Sequence, residues 1–263
     1  WDLQVLSRGR FVLGLGTQVK GHNERRFGVP WDQPGPRLRE MIRMIRAIWD
    51  CWQDGRKPDF AGKYYNFSLM TPFFNPGPIE FPRPQLWIAG VNEYMWRLAG
   101  ELCDGFHIHP LNSIRYLEEF ALPLLREGAA AAGRDPSACS LATSAFVVTG
   151  RNEEEIEKAK APVRQQIAFY GSTRTYRKVF EIHGWEDVPA RLNERSTKGD
   201  WVGMADEITD EMLEVLAVTG TYDEIGAKVR DKYRGYLDRL TFYFPFRPGD
   251  GLPWRAWQEA LRG

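Results

Sequence analysis

No stretch of this 263-residue chain is apolar over the roughly 18 residues that a membrane-crossing helix needs, and no charged-then-apolar leader opens it. A soluble cytoplasmic protein is the expectation. There is no surplus of either charge: 35 Lys and Arg balance 35 Asp and Glu, so no overall field favours nucleic acid or an anionic membrane. The expected partner is a small molecule. Cysteine is scarce as well. Cys51, Cys103 and Cys139 are odd in number and far apart without metal-type spacing, which argues for reduced thiols, with Cys103 in the core. No His/Asp/Glu cluster has ligand spacing, and the GxxxxGK[ST] pattern is missing. The run LGLGTQ at 13–18 lacks the third glycine and the later acidic residue of a dinucleotide fingerprint. Metal and nucleotide-phosphate chemistry therefore score poorly, and no repeat or low-complexity tract replaces them.

What is present centres on residues 84–110, PQLWIAGVNEYMWRLAGELCDGFHIHP. Residues 85–89 form a short apolar run closed by Gly90, and Met95, Leu98, Ala99 and Leu102 then follow at helical spacing until Asp104-Gly105. Residues 106–109 read as a returning strand. Two strands joined through a helix lie parallel with a right-handed crossover, so the chain is committed to an α/β fold with a parallel sheet. Ligands in such sheets gather at the carboxyl ends of the strands, here Ala89-Gly90-Val91 and His107-Ile108-His109.

Around this unit the strand-helix alternation continues. Residues 1–7 look like the end of a helix, with no initiator methionine and no preceding strand, so the chain is expected to start in mid-fold. Residues 10–16 (RFVLGLG) read as a fully buried strand, and 17–36 as a long loop carrying Lys20, His22, Arg25 and Arg26. Leu38, Met41, Ile42, Ile45, Ile48 and Trp49 mark a helix from Arg37 to Gly55. Residues 60–82 are an aromatic, proline-rich excursion expected to cover another subunit or the pocket mouth. An amphipathic helix over 113–133 carries Pro123 as a kink, a buried strand spans 140–149, and Asn152 caps a helix to Tyr170. Residues 171–220 read as irregular helix, 221–224 cap a helix to Tyr233, 239–246 form a last strand, and a short helix surrounds Trp254. The strand count is five, where a closed (β/α) barrel has about eight.

The chain resembles the luciferase-like monooxygenases and, within them, the deazaflavin-dependent (coenzyme F-420) oxidoreductases. The resemblance rests on SRGRFVLGLGTQVKGH at 7–22, the 84–110 unit, AGR at 132–134, and VTGTYDEIGAKV at 218–229 followed by GYLDRLTFYFP. It implies a single TIM-type (β/α)8 barrel domain over 1–263, resembling strands four to eight with the first three units absent. It also implies a homodimer. Gly16, Thr17 and Gln18 then lie beside the deazaflavin or flavin ring, where glycine admits a flat ring closely. The plainer reading is that Gly14 and Gly16 only ease packing. Ala89, Gly90 and Val91 resemble the turn that holds the coenzyme's phosphate on a helix start, against the alternative of an ordinary βα turn. Gly105, Phe106 and His107 resemble a further contact to its tail or ring edge.

His22 and His109 are candidate acid-base groups beside Gln18, each with a structural alternative. Lys20, Arg25 and Arg26 are candidates for anionic groups or simply a solvated loop, and Phe169-Tyr170-Gly171 with Phe242-Tyr243-Phe244 for an apolar pocket or core. The expected function is hydride transfer between coenzyme F-420 and a small organic substrate. The alternatives are an FMN-dependent monooxygenase and a non-catalytic barrel relative or partner subunit.

Overall fold

The computed structural model describes residues 1–243 and 251–262. In chain order it runs α1 (Asp2–Leu6), β1 (Val12–Gly16), α2 (Lys20–Arg26), α3 (Pro34–Asp54), β2 (Phe60–Ala61), β3 (Asn66–Phe67), β4 (Gln85–Gly90), α4 (Glu93–Leu102), β5 (Gly105–Ile108), α5 (Ile114–Tyr116) and α6 (Leu122–Ala131). It continues with β6 (Ser140–Gly150), α7 (Glu153–Gly171), α8 (Arg177–Glu181), α9 (Val188–Thr197), α10 (Asp210–Leu216), β7 (Ala217–Thr221), α11 (Ile225–Tyr233), β8 (Arg239–Tyr243) and α12 (Trp254–Arg262). Two compact units result, Trp1–His107 with Leu124–Cys139, and Ile108–Pro123 with Ser140–Gly263.

In the first unit β1 and β4 are parallel, with Gly14 opposite Trp87 and Gly16 opposite Ala89. Leu86, Ile88 and Phe106 are buried, as are Met95, Leu98 and Ala99 of α4, and the Trp96 ring stands 4.4 Å from that of Phe106. The expected βαβ unit is therefore present. β1, however, is not fully buried, because Gly14 and Gly16 point to an open face. The expected loop at 17–36 also contains α2, which escapes a sequence reading because Val19 at its N-cap supplies no side-chain acceptor and Gly21 interrupts it. α3 begins at Pro34, in the first-turn position that suits proline, earlier than Arg37.

Two side chains lock this unit. Asp104 accepts the Leu86 N–H at 2.8 Å while its own N–H donates to the Leu86 carbonyl at 2.8 Å, pinning the amino ends of β4 and β5 together. Arg134, in the AGR run, donates to the carbonyls of Gly100 and Cys103, both at 2.8 Å, and so terminates α4. The excursion at 60–82 holds the β2–β3 hairpin, fastened by Glu40, which accepts the N–H groups of Lys63, Tyr64 and Tyr65. Burial opposes the Glu40 charge, but these three N–H groups outweigh it and hold the carboxyl below its ordinary range. Phe73 and Phe74 stand 90% and 72% exposed, so not all of its aromatics are covered within the chain.

In the second unit β6 is the longest strand. Its first half pairs in parallel with β8 and its second half with β7, and Phe146 is the partner of both Tyr243 and Ala217. Asp238 repeats the Asp104 device, accepting from Leu141 N at 2.7 Å and donating its N–H to the Leu141 carbonyl. Asn152 caps α7 as expected, accepting from Glu155 N at 3.0 Å. Just ahead of Pro123, expected as a kink, the chain makes a π-helical turn, Leu117–Ala121, in which the Leu122 N–H donates to the Leu117 carbonyl. β7 was not among the five expected strands. The rest of the last expected strand, 244–246, lies outside the described residues. Among the described residues no helix is long and apolar enough to cross a membrane.

Candidate functional site

The carboxyl ends of β1 and β4 gather the first group of candidates. Gly16 and Ala89 are register partners and both are exposed. No described atom lies within 4 Å of a Cβ built on Gly14 or on Gly16, so packing does not require either glycine. What their hydrogens leave free is a bare strip of backbone that a flat ring can approach. Gln18 follows with φ +59°, a left-handed conformation rare for a side chain this size and held here against about 1–3 kcal/mol of strain. Its Oε1 accepts the Val19 N–H at 3.0 Å, which leaves the amide NH2 as a donor. Asn23 donates to the Thr17 carbonyl at 3.0 Å and so fastens α2 to the end of β1. His22, on α2, is exposed, and among the described residues its ring has no hydrogen-bond partner that would relay a proton. Lys20 lies 4.0 Å from Glu24, and Arg25 and Arg26 are exposed on the same helix.

Beyond β4, Ala89, Gly90 and Val91 lead into α4, whose N-cap Asn92 accepts the Met95 N–H at 3.0 Å. Arg97 draws the Glu93 carboxylate aside at 3.0 Å, keeping that charge paired near the helix start. The helix start retains the partial positive charge that suits an anion. Gly90 itself has a packing reason that the sequence did not reveal. A Cβ there would stand 2.5 Å from Met95 Cβ, so Gly90→Val would disturb the fold and is no clean test of binding.

Gly105 and Phe106, the further candidates for the coenzyme's tail or ring edge, are both buried. Gly105 opens β5 at its amino end, and a Cβ there would sit 2.1 Å from the Trp87 indole; Phe106 is 0% exposed against Trp96. Both are core. His107 lies on the exposed side of the same strand. Trp87 is a residue the sequence reading passed over, although the alternation Gln85, Trp87, Ala89 in register with Gly14 and Gly16 is the signal that places it on their face.

His109 belongs to the second unit. Its ring packs 4.3 Å from Tyr176 and 4.4 Å from Tyr170, and Tyr170 and Tyr243 join hydroxyls at 2.8 Å beside Phe146. The Leu111 N–H donates to His109 Nδ1 at 3.1 Å, so the neutral ring carries its proton on Nε2. Asn112, fully buried, ties the segment down by donating to the His109 carbonyl at 2.8 Å and accepting from the Tyr233 hydroxyl. Burial, then the Tyr243 hydroxyl, push the Tyr170 phenol above its ordinary range, and burial does the same to Tyr176. This cluster is a set of neutral donors. The three cysteines are buried and free, and burial raises the Cys103 thiol, which removes it as a nucleophile.

Comparison with known proteins agrees with this architecture. The chain is 46% identical over 240 residues to an uncharacterized protein of Mycobacterium tuberculosis, covering 91% of this chain and 71% of that one. It is 29% identical over 253 residues to the 5,10-methylenetetrahydromethanopterin reductase of Archaeoglobus fulgidus, covering 94% and 71%. Among solved structures, the coenzyme F420-dependent tetrahydromethanopterin reductase of Methanopyrus kandleri superposes with a TM-score of 0.66 over 90% of this chain and 69% of its own, at 20% identity. That last likeness speaks for the fold alone. The family model for luciferase-like monooxygenases matches residues 1–239, and the chain belongs to that family.

Proposed function

We propose that the chain is an oxidoreductase that binds a deazaflavin coenzyme and transfers a hydride between it and a small organic substrate, its parallel strands forming part of a luciferase-like (β/α)8 barrel. One observation carries the reading: the open glycine strip of β1 at Gly14 and Gly16, where no described atom lies within 4 Å of either Cβ position, beside the donor amide of Gln18. These residues fit a planar heterocycle, because the backbone offers a close approach and the Gln18 NH2 a hydrogen bond to a ring carbonyl or nitrogen. The first turn of α4 fits the coenzyme's phosphate, with Asn92 shaping the helix start and Arg97 withdrawing Glu93. The chemistry supplied there is that of a two-electron hydride carrier. The protein's part is orientation and dryness.

Within the second unit, the His109 Nε2–H and the hydroxyls of Tyr170 and Tyr243 are the groups suited to hold or move a proton at a substrate oxygen. The runner-up is an FMN-dependent monooxygenase, which the family's name favours and the glycine strip accommodates equally. Parallel titrations with coenzyme F-420 and FMN separate the two, and binding of neither overturns both. Gln18→Gly sharpens the result. It relieves the positive φ and should hold or raise the melting temperature, while weakening the bound coenzyme by about tenfold, the worth of one lost hydrogen bond. Unchanged affinity would remove Gln18 from the site.

A further inference from the structure

A cavity of about 380 Å³ lies wholly within the second unit and takes no part in the reading above. Its wall is largely apolar, from Ile114, Ala217 and Val218, and it is also lined by Ser113, His183 and Lys232. Lys232, on α11, reaches the junction of α10 and β7, where Nζ donates to the carbonyls of Val215 at 2.8 Å and Ala217 at 3.0 Å. A neutral amine has two N–H bonds, and both are used by these carbonyls. The third tetrahedral position on Nζ is left to the lone pair in the neutral amine and to a further N–H in the ammonium, on a side chain that lines the cavity. Ser113 Oγ accepts the Tyr116 N–H at 3.0 Å and shares a hydrogen bond of 2.8 Å with His183 Nε2. The cavity therefore holds an amine and a hydroxyl–imidazole pair.

We propose that Lys232 is a nucleophilic amine that captures aldehydes or ketones with an apolar body in this cavity, as a reversible Schiff base. The Nζ lone pair attacks the carbonyl carbon and the oxygen takes up a proton. Loss of water from this adduct leaves a C=N bond, with no change in oxidation state. Hydrolysis returns both partners. Ser113 and His183 supply hydrogen-bonding groups along the same wall for the departing water.

The charge state favours this. Burial lowers the Lys232 ammonium from its ordinary 10.5 to about 8, with no carboxylate offsetting it. The charged and titratable groups around it are Arg115 on α5, His183 after α8 and Glu214 on α10, and the Tyr233 ring stands 5.9 Å from Nζ. Arg115 pairs with Glu119 at 2.9 Å, and burial followed by Arg115 holds His183 below its ordinary range. From 10.5 to about 8, the free-amine fraction near neutral pH rises by about 300-fold.

The test is reductive trapping of the intact protein with 4-methoxybenzaldehyde and cyanoborohydride at neutral pH, which fixes a C=N bond as a secondary amine, followed by peptide mass mapping. Lys232 should label at least about tenfold faster than the exposed Lys158 and Lys198, and the preference should vanish in concentrated urea. Lys232→Met should lose that labelled peptide and keep the others. If labelling instead follows exposure, with Lys158 and Lys198 ahead, or if Lys232 labels equally in the native and the urea-unfolded protein, the amine is only a clamp on the end of α10 and the proposal fails.

Discussion

Gly16→Leu should leave the melting temperature within a degree or two of the parent and reduce coenzyme affinity by at least about 100-fold. The argument is one of empty space. A Cβ at Gly16 meets no described atom within 4 Å, and the residue ends a regular strand without a positive φ, so a side chain costs the fold little. The same side chain would occupy the strip where a flat ring has to lie. Fluorescence titration of coenzyme F-420, beside thermal unfolding, reads both quantities. Full binding by a stably folded Gly16→Leu protein would remove the glycine strip from the site and the proposed function with it. Gly90 cannot serve this purpose, because its Cβ would collide with Met95 and any loss of binding would be confounded with misfolding.

The second large effect runs against helix propensity. Gly100 lies inside α4, where replacing glycine by alanine ordinarily stabilises a helix by about 1 kcal/mol. Here a Cβ would stand 2.0 Å from the Leu125 carbonyl oxygen and 2.8 Å from the Ala129 nitrogen of α6, both backbone atoms that cannot rotate away. Gly100→Ala should therefore destabilise by about 2–3 kcal/mol, seen as a lower urea midpoint. Gly128 makes the reciprocal contact, its Cβ 2.0 Å from the Arg97 carbonyl, so Gly128→Ala should behave likewise and the double variant should cost less than the sum. A stability unchanged by Gly100→Ala would mean that the two helices separate easily.

The central βαβ unit was legible because three independent signals coincide there: an apolar run, a glycine turn and a helical period. β7 was not. α10 ends at Leu216 and β7 begins at Ala217 with no loop between them, so the apolar run from Leu213 onward continues the helical period and conceals the change of structure. α2 was missed for want of a cap, and the excess of glycine and proline around it suggested a loop. For the site, the family motifs located Gly16, Thr17 and Gln18 at a strand end, but side-chain direction was out of reach. Gly105 reads like Gly16 in sequence, a glycine flanking an apolar run. Only the fold shows that one faces open space and the other lies beneath an indole. Gln18 reveals its interest through a backbone angle, which no residue identity encodes. The Tyr170–Tyr243 pair joins residues 73 positions apart and needed the β6–β8 register to appear.

That register makes β6 a fork. β8 is zipped to its first half and β7 to its second, and among the described residues Phe146 alone is shared between the two arms. Amides of β7 and β8 thus gain their solvent protection from different stretches of one strand, so one arm can open while the other stays closed. Isotope exchange should sort them into two opening events with separate free energies. A change at Phe146, the crotch of the fork, should alter both at once.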